Sequence, residues 1–442
     1  MLNEKTEIEL IEMDKEHFLH PTSNVKEQQE NGPAIIFKSG EGIYLEDLNG
    51  KKYIEGMSSL WNVNIGYGRK ELAETAKQQI EELSFSSTFS TYSHKPAIKL
   101  ARKISELAPG DLNTVFFTSG GSEANDSAIK LARHYWNIKE QPERRKIISR
   151  KKAYHGVAMG ATSATGIPEF WEFAGLSPEF YHIETTSSDE LKNIIEEEGP
   201  ETIAAFMAEP ILGAGGVIVP PENYFKEVRD ICDQYNILFI ADEVITGFGR
   251  TGKMFGMEHW KVIPDMMTIA KGVSSGYVPL GGVVLSEKVH KVIKDKTEGT
   301  LFHGYTYSGH PVATAVALKN IDILEKESLI ENTRDMGREL LTGLEKLEED
   351  LTVLGESRSV GLLAAVEIYK NKEKKEHFDN KQAPLIVKEA AKRGLICRAV
   401  TYDEADTIVL APPLIINKKQ IVKIITILEE AIKVVTKNQN VS

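Results

Sequence analysis

Residues 237–272 read ILFIADEVITGFGRTGKMFGMEHWKVIPDMMTIAKG. An unbroken apolar run from Ile237 to Ala241 ends on Asp242-Glu243, and a second, mainly apolar stretch ends on Lys271 just ahead of Gly272. Short apolar runs bounded by turn residues predict strands buried on both faces. Upstream, Val115–Phe117, Lys146–Ile148 and Ile203–Met207 have the same character. They alternate with amphipathic helical stretches such as ELAETAKQQIEEL (71–83) and KPAIKLARKISEL (95–107). Strands alternating with helices predict a parallel sheet covered on both faces.

Toward the ends the pattern changes. Ile43–Leu45 and Tyr53–Ile54, joined through Asp47-Leu48-Asn49-Gly50, predict an antiparallel hairpin, Asn-Gly being a strong turn signal. Beyond about Glu325 the helical stretch LIENTRDMGRELLTGLEKLEED is followed by VGLLAAVEIY, LICRAV and TIVLAPPL, which predict a smaller α+β unit. The charge run near 371–381 reads as a solvated loop. The chain divides into an N-terminal segment (1–65), a large α/β domain (66–325) and a C-terminal α+β unit (326–442), with the two outer pieces packing together.

Composition narrows the function. The 442 residues are 41% hydrophobic and 27% charged, ordinary for a folded globular chain. The net charge is −12, from 53 Lys+Arg against 65 Asp+Glu. With no long basic run, nucleic acid is a poor partner. Cys232 and Cys397, the only cysteines, predict reduced thiols and no metal site. No apolar run reaches membrane-spanning length and MLNEKTEIELIEMDKEH is studded with charges. The expected location is the cytoplasm, with no membrane partner.

Three segments carry chemistry. In VFFTSGGSEANDSAIKLARHYW, Ser119-Gly120-Gly121-Ser122 joins a strand to a helix whose Ala124, Ala128, Leu131, Ala132 and Tyr135 share one face. Glycines, serines and the free N–H groups of a helix start suit an anion, although a plain capped helix would read the same. Asp242, at the carboxyl end of a central strand, stands where open α/β sheets place ligands; taken alone it reads more readily as a helix cap or a solvent-facing residue. Lys271 has apolar neighbours, so loss of solvation lowers its pKa and makes the amine nucleophilic, but a lone lysine there also reads as a snorkelling surface residue. Together the three match the handles of pyridoxal phosphate: a phosphate, a ring nitrogen and an aldehyde.

Here the chain resembles the class III, ω-amino-acid branch of pyridoxal-phosphate-dependent aminotransferases of fold type I. The segment Phe239–Gly252, with its Asp-Glu and Gly-Phe-Gly-Arg-Thr-Gly, then Pro264-Asp265 and Ala270-Lys271-Gly272, carries the resemblance. It implies a large domain with a mainly parallel seven-stranded sheet between helices, plus a smaller α+β domain. It makes Lys271 the catalytic lysine that carries the cofactor and shuttles the proton, and Asp242 the partner of the pyridine nitrogen. Gly121 and Ser122 would hold the phosphate. Tyr154 and Val244 would pack on the two ring faces, and Glu209 would support the site. His155 is expected to be structural. Thr306, in HGYTYSGHP, matches a segment that reaches the phosphate of a neighbouring subunit, which implies a homodimer or a dimer of dimers.

For substrate, Trp61 resembles an aromatic pocket wall, Phe89 one contributed across the dimer, and Arg398 the mobile arginine that binds an acceptor carboxylate; unaided, Arg398 would read as a surface residue. GABA and ornithine aminotransferases carry Gly-Glu-Gly-Gly where this chain has Gly213-Ala214-Gly215-Gly216, and Val157 stands where a GABA-type enzyme has arginine. Those departures argue for pyruvate as acceptor, with β-alanine, taurine or simple amines as donors. The alternatives are a diaminopelargonate aminotransferase, which DKEHFLHP and GMSSLW resemble although Thr22 and Val157 depart from it, and a decarboxylase or racemase on the same fold.

Overall fold

In the computed structural model, which describes residues 6–173 and 175–437, the run ending on Asp242 is strand Leu238–Asp242, fourth of seven in one sheet. The spatial order is Leu112–Thr118, Gly281–Ser286, Met266–Ile269, Leu238–Asp242, Ile203–Ala208, Lys146–Arg150 and Phe180–Ile183. Neighbours pair in parallel except around Gly281–Ser286, which runs against both of its neighbours.

Strands Ile203–Ala208 and Leu238–Asp242 bury every residue because each face has its own apolar layer. On one face helix Gly121–Ile138 sets Ala128, Leu131, Ala132 and Tyr135 against Met207 and Ile240; on the other, helix Tyr224–Gln234 sets Phe225 and Val228 against Phe206 and Phe239. Successive side chains of a strand point to opposite faces, so two layers need continuous apolar runs rather than alternation. Asp265 ties the layers at one end. Its carboxylate accepts from Arg229 Nη1, Lys288 Nζ and the Phe239 N–H at 2.8–2.9 Å. Burial raises its pKa, but Arg229 and Lys288 outweigh burial and hold it below the ordinary aspartate value.

The hairpin expected near residue 50 is Tyr44–Asp47 paired with Lys52–Glu55, in a four-stranded sheet with Phe37–Glu41 and Leu395–Ile396. The last strand pairs in parallel with Lys52–Glu55, so the chain's two ends share a sheet. A second, antiparallel sheet orders Leu354–Val360, Leu363–Ile368, Thr407–Leu410 and Arg398–Val400. LICRAV, one run in the sequence, therefore breaks at Cys397: its first half joins the N-terminal strands and its second half puts Arg398 in the other sheet. Residues 1–5 and 438–442 of the two expected outer pieces lie outside the described residues. Among the described residues no helix is long and apolar enough to cross a membrane.

Arg250, from the Gly-Phe-Gly-Arg-Thr-Gly turn, joins these parts. It is 0% exposed and donates to Leu362 O, Pro412 O, Ser58 Oγ and Asn64 Oδ1 at 2.6–3.0 Å. Burying a guanidinium is unfavourable unless its donors are satisfied; here neutral acceptors from the N-terminal and C-terminal pieces take up Nη1 and Nη2, while Nε is left without a partner.

Glu243, one residue past the central strand, is also 0% exposed and accepts from Thr246 Oγ1 and the N–H groups of Gly256 and Met257. Burial outweighs these bonds and pushes its pKa up to about 7, from 4.5. Folding therefore favours the neutral acid: its stabilisation is complete below pH 4.5 and is lost as pH rises through about 7. Between about pH 5 and about pH 8 the native chain is expected to lose stability relative to Glu243→Gln, by roughly 2–3 kcal/mol in denaturant titrations. Parallel pH profiles would contradict this.

Candidate active site

The strand-end carboxylate and the lysine face one space. A cavity of about 190 Å³ is lined by seven of the expected residues, Gly121, Ser122, Tyr154, Glu209, Asp242, Val244 and Lys271, together with Asn125, His155, Gly156 and Ile245. It opens at the carboxyl ends of Leu238–Asp242 and Ile203–Ala208 and at the start of helix Gly121–Ile138. That is where strand polarity and a helix N-terminus together favour an anionic ligand.

Asp242 is 2% exposed and its carboxylate is fully engaged on one side. Oδ2 lies 2.7 Å from His155 Nδ1 and accepts from Asn125 Nδ2 at 2.7 Å, while Oδ1 accepts the Val244 N–H at 3.0 Å. His155 is thus not merely a neighbour of Tyr154; it orients the carboxylate. Asn125 was not foreseen, although its position three residues after Ser122 puts it on the cup's side of the helix. Asn125 Nδ2 also bonds His155 O at 2.6 Å, closing the triangle. Glu209, 2% exposed, accepts the N–H groups of Tyr154 and Gly213 at 2.9 Å, fixing both segments; burial raises its pKa above the ordinary glutamate value.

The cup is built for close approach. The first rung of the helix ladder is Ala124 N–H to Gly120 O, which leaves the N–H groups of Gly121, Ser122 and Glu123 without an intrahelical acceptor. A Cβ on Gly121 would stand 2.9 Å from Val244 Cγ1, and one on Gly156, whose φ is +119°, 2.3 Å from Ser122 Oγ. The Ser119 hydroxyl is buried with no protein partner. Unpaired donors at the helix start, a fixed carboxylate across the cavity and a recessed amine fit the phosphate, pyridine nitrogen and aldehyde of pyridoxal phosphate.

Lys271 has φ +46° and is half-buried between the buried Ala270 and Gly272. Burial pulls its pKa below the ordinary lysine value; Asp242 and Glu209 oppose this and Arg398 adds to it. Its Nζ lies 5.7 Å from the centre of the Trp61 ring, and the Arg398 guanidinium 5.1 Å from the same centre. Trp61, 4% exposed, therefore brings the expected substrate wall, the expected catalytic amine and the expected acceptor-binding arginine into one group. Phe89 and Thr306 stand apart from this cavity. Phe89 is 50% exposed beside a second cavity of about 1150 Å³, and Thr306 is exposed on a loop at its rim. Replacing Asn125 by Leu, which removes one donor from Asp242 and leaves His155 O unpaired, is expected to weaken pyridoxal phosphate binding about tenfold in absorbance titrations. Unchanged affinity would show that the triangle does not set the site.

The family model for class-III aminotransferases matches residues 25–432. The putrescine–pyruvate aminotransferase of Pseudomonas aeruginosa is 42% identical over 439 residues, 94% of each chain. A crystal structure of a transaminase from the marine bacterium Virgibacillus is 57% identical, covers 98% of this chain and 100% of its own, and superposes with a TM-score of 0.97. The ω-transaminase of Pseudomonas jessenii, solved in complex with PMP, is 40% identical with a TM-score of 0.93, over 97% of this chain and 98% of its own. With the cavity, the lysine and the strand order already described, these matches show that the chain belongs to the class-III aminotransferases, pyridoxal-phosphate enzymes of fold type I.

Proposed function

We propose that this chain moves an amino group from an ω-amino acid or a simple amine to pyruvate, with pyridoxal phosphate carried on Lys271, and that it works in the cytoplasm as a homodimer or dimer of dimers built from the three units 1–65, 66–325 and 326–442. The observation that carries the acceptor assignment is the isolation of Arg398. Among the described residues it makes no ion pair, and its buried Nε has no partner. Trp61, on which it stacks, packs with Met57, Ile211, Ala214 and Ile245, an apolar wall with alanine where a glutamate would be needed to neutralise it. A free guanidinium beside an apolar wall suits a small keto acid in one half of the cycle and an apolar amine in the other.

Bound here, pyridoxal phosphate would supply an electron sink for the carbon that gives up its proton. The chain's own residues do the rest. The N–H groups of Gly121 and Ser122 bind the phosphate, Tyr154 and Val244 hold the ring between them, and Asp242, oriented by His155 and Asn125, accepts the ring N–H. In the donor half of the cycle Lys271 Nζ takes the proton from the amine-bearing carbon, and in the acceptor half it delivers one to the former keto carbon of pyruvate, transfers its lowered pKa favours. Trp61 and Tyr154 exclude water, and Arg398 pairs with the acceptor carboxylate.

The relative named for putrescine and pyruvate supports pyruvate and adds diamines to β-alanine, taurine and simple amines as donors to try. The exposed surroundings of Phe89 and Thr306 support the dimer: Phe302 is 95%, Tyr92 72% and Tyr307 59% exposed around them, an aromatic surface suited to a second subunit.

Lys271→Ala is expected to cut turnover by roughly 10³-fold or more in a coupled assay, since the proton carrier goes with the amine. Substantial remaining activity would mean that another group carries the proton. Arg398→Ala should raise KM for pyruvate by about tenfold or more while leaving KM for an apolar amine within about twofold; equal effects on both would remove its acceptor role. With the native enzyme, pyruvate should outpace 2-oxoglutarate across a panel of amines, and the reverse order would overturn the acceptor assignment.

A further inference from the structure

Phe89 and Thr306 lie on two loops far apart in sequence that the fold clamps together. Thr88 Oγ1 donates to Ser308 O at 2.9 Å, and His94 Nε2 lies 2.7 Å from Gly309 O. The Phe89 ring rests on Gly304, where an added Cβ would stand 3.0 Å from Phe89 Cε1. Thr306 sits in a turn closed by the Tyr305 N–H to Ser308 Oγ and the Ser308 N–H to Tyr305 O.

His94 is the joint of this clamp. It is 7% exposed and caps helix Lys95–Leu107, its Nδ1 accepting the Ala97 N–H at 3.3 Å. An amide N–H needs an unprotonated Nδ1, and a carbonyl needs a donor at Nε2, so both bonds hold together only in the neutral Nε2–H tautomer. One ring thereby fixes the end of the Phe89 loop and the carbonyl that follows the Thr306 turn. Gly309, with φ +67°, leaves no slack there, since an added Cβ would lie 3.3 Å from Thr88 Cγ2.

We propose that His94 is the positioning residue for the half-site that each subunit lends to its partner, setting the apolar wall at Phe89 and the phosphate contact at Thr306 as a single unit. This rests on the dimer reading above. It predicts that one substitution, remote from Lys271, weakens cofactor binding and amine binding together, whereas a purely structural histidine would alter neither in a folded dimer.

The discriminating variant is His94→Asn, because asparagine is a good helix cap but too short to reach Gly309 O. Sedimentation should show an unchanged dimer. Titration of the apoprotein should show Kd for pyridoxal phosphate raised about tenfold, with KM for an apolar amine raised similarly. His94→Gln, whose amide is long enough to donate to Gly309 O, should return both to within about threefold of native. Unmoved Kd and KM in the His94→Asn dimer, or no recovery in His94→Gln, would overturn the proposal and leave the dimer reading intact. A differently tagged heterodimer of His94→Asn with Lys271→Ala has one live lysine, on the His94→Asn subunit, served by loops from the subunit with native His94. That site should show native KM. A KM as poor as in the His94→Asn homodimer would mean that the loops serve their own subunit, so the cross-subunit reading would fall.

Discussion

Asp242 holds its carboxylate inside the protein at the end of the middle strand, with both oxygens already engaged. A buried carboxylate is several kcal/mol unfavourable unless donors surround it, so whatever supplies those donors is fixed in place. Here they come from helix Gly121–Ile138, from the Tyr154–Gly156 turn and from the backbone just after the strand. Satisfying this one carboxylate therefore aligns the turn expected to hold the phosphate with Tyr154 across the same cavity. Glu209 extends the arrangement by pinning the Tyr154 and Gly213 backbones, and the two carboxylates together oppose the loss of charge that burial imposes on Lys271.

The opposite side of the site is held by a different means. Ser58, Ser59 and Trp61 have φ values of +48°, +60° and +60°, a left-handed region unfavourable for side chains of this kind, most of all for tryptophan. The turn persists because Ser58 Oγ donates to Ala411 O while accepting from the buried Arg250 guanidinium, which also holds Asn64. Trp61 is thus presented to Lys271 and Arg398 by bonds that cross between the N-terminal, central and C-terminal parts of the chain. The strain sits at Trp61, beside which Arg398 makes no ion pair among the described residues.

Much of this was legible in the sequence because burial on both faces leaves a plain mark. The runs ending on Phe117, Met207 and Ala241 lie in strands of the central sheet, and Lys70–Leu83, Lys95–Leu107 and Leu329–Asp350 are the helices their periodicity predicts. Seven of the residues that motif and resemblance put forward for the cofactor line one cavity. What escaped depends on partners that local pattern does not encode. Gly281–Ser286 runs antiparallel through a sheet otherwise built in parallel, LICRAV splits between two sheets, and Asn125 looks like any polar helix residue until Asp242 is seen beside it. His155 is the same case, a histidine whose role lies in a carboxylate 87 residues away.

The central claim is that Lys271 carries pyridoxal phosphate and passes an amino group from an amine to pyruvate. Absorbance of the purified holoenzyme, followed through the two half-reactions separately, tests it directly. The account predicts a visible band from the lysine-bound cofactor that an amine donor bleaches in the absence of any keto acid and that pyruvate then restores, with no such band in Lys271→Ala. A band that no amine bleaches, or that returns with 2-oxoglutarate and not with pyruvate, would contradict it.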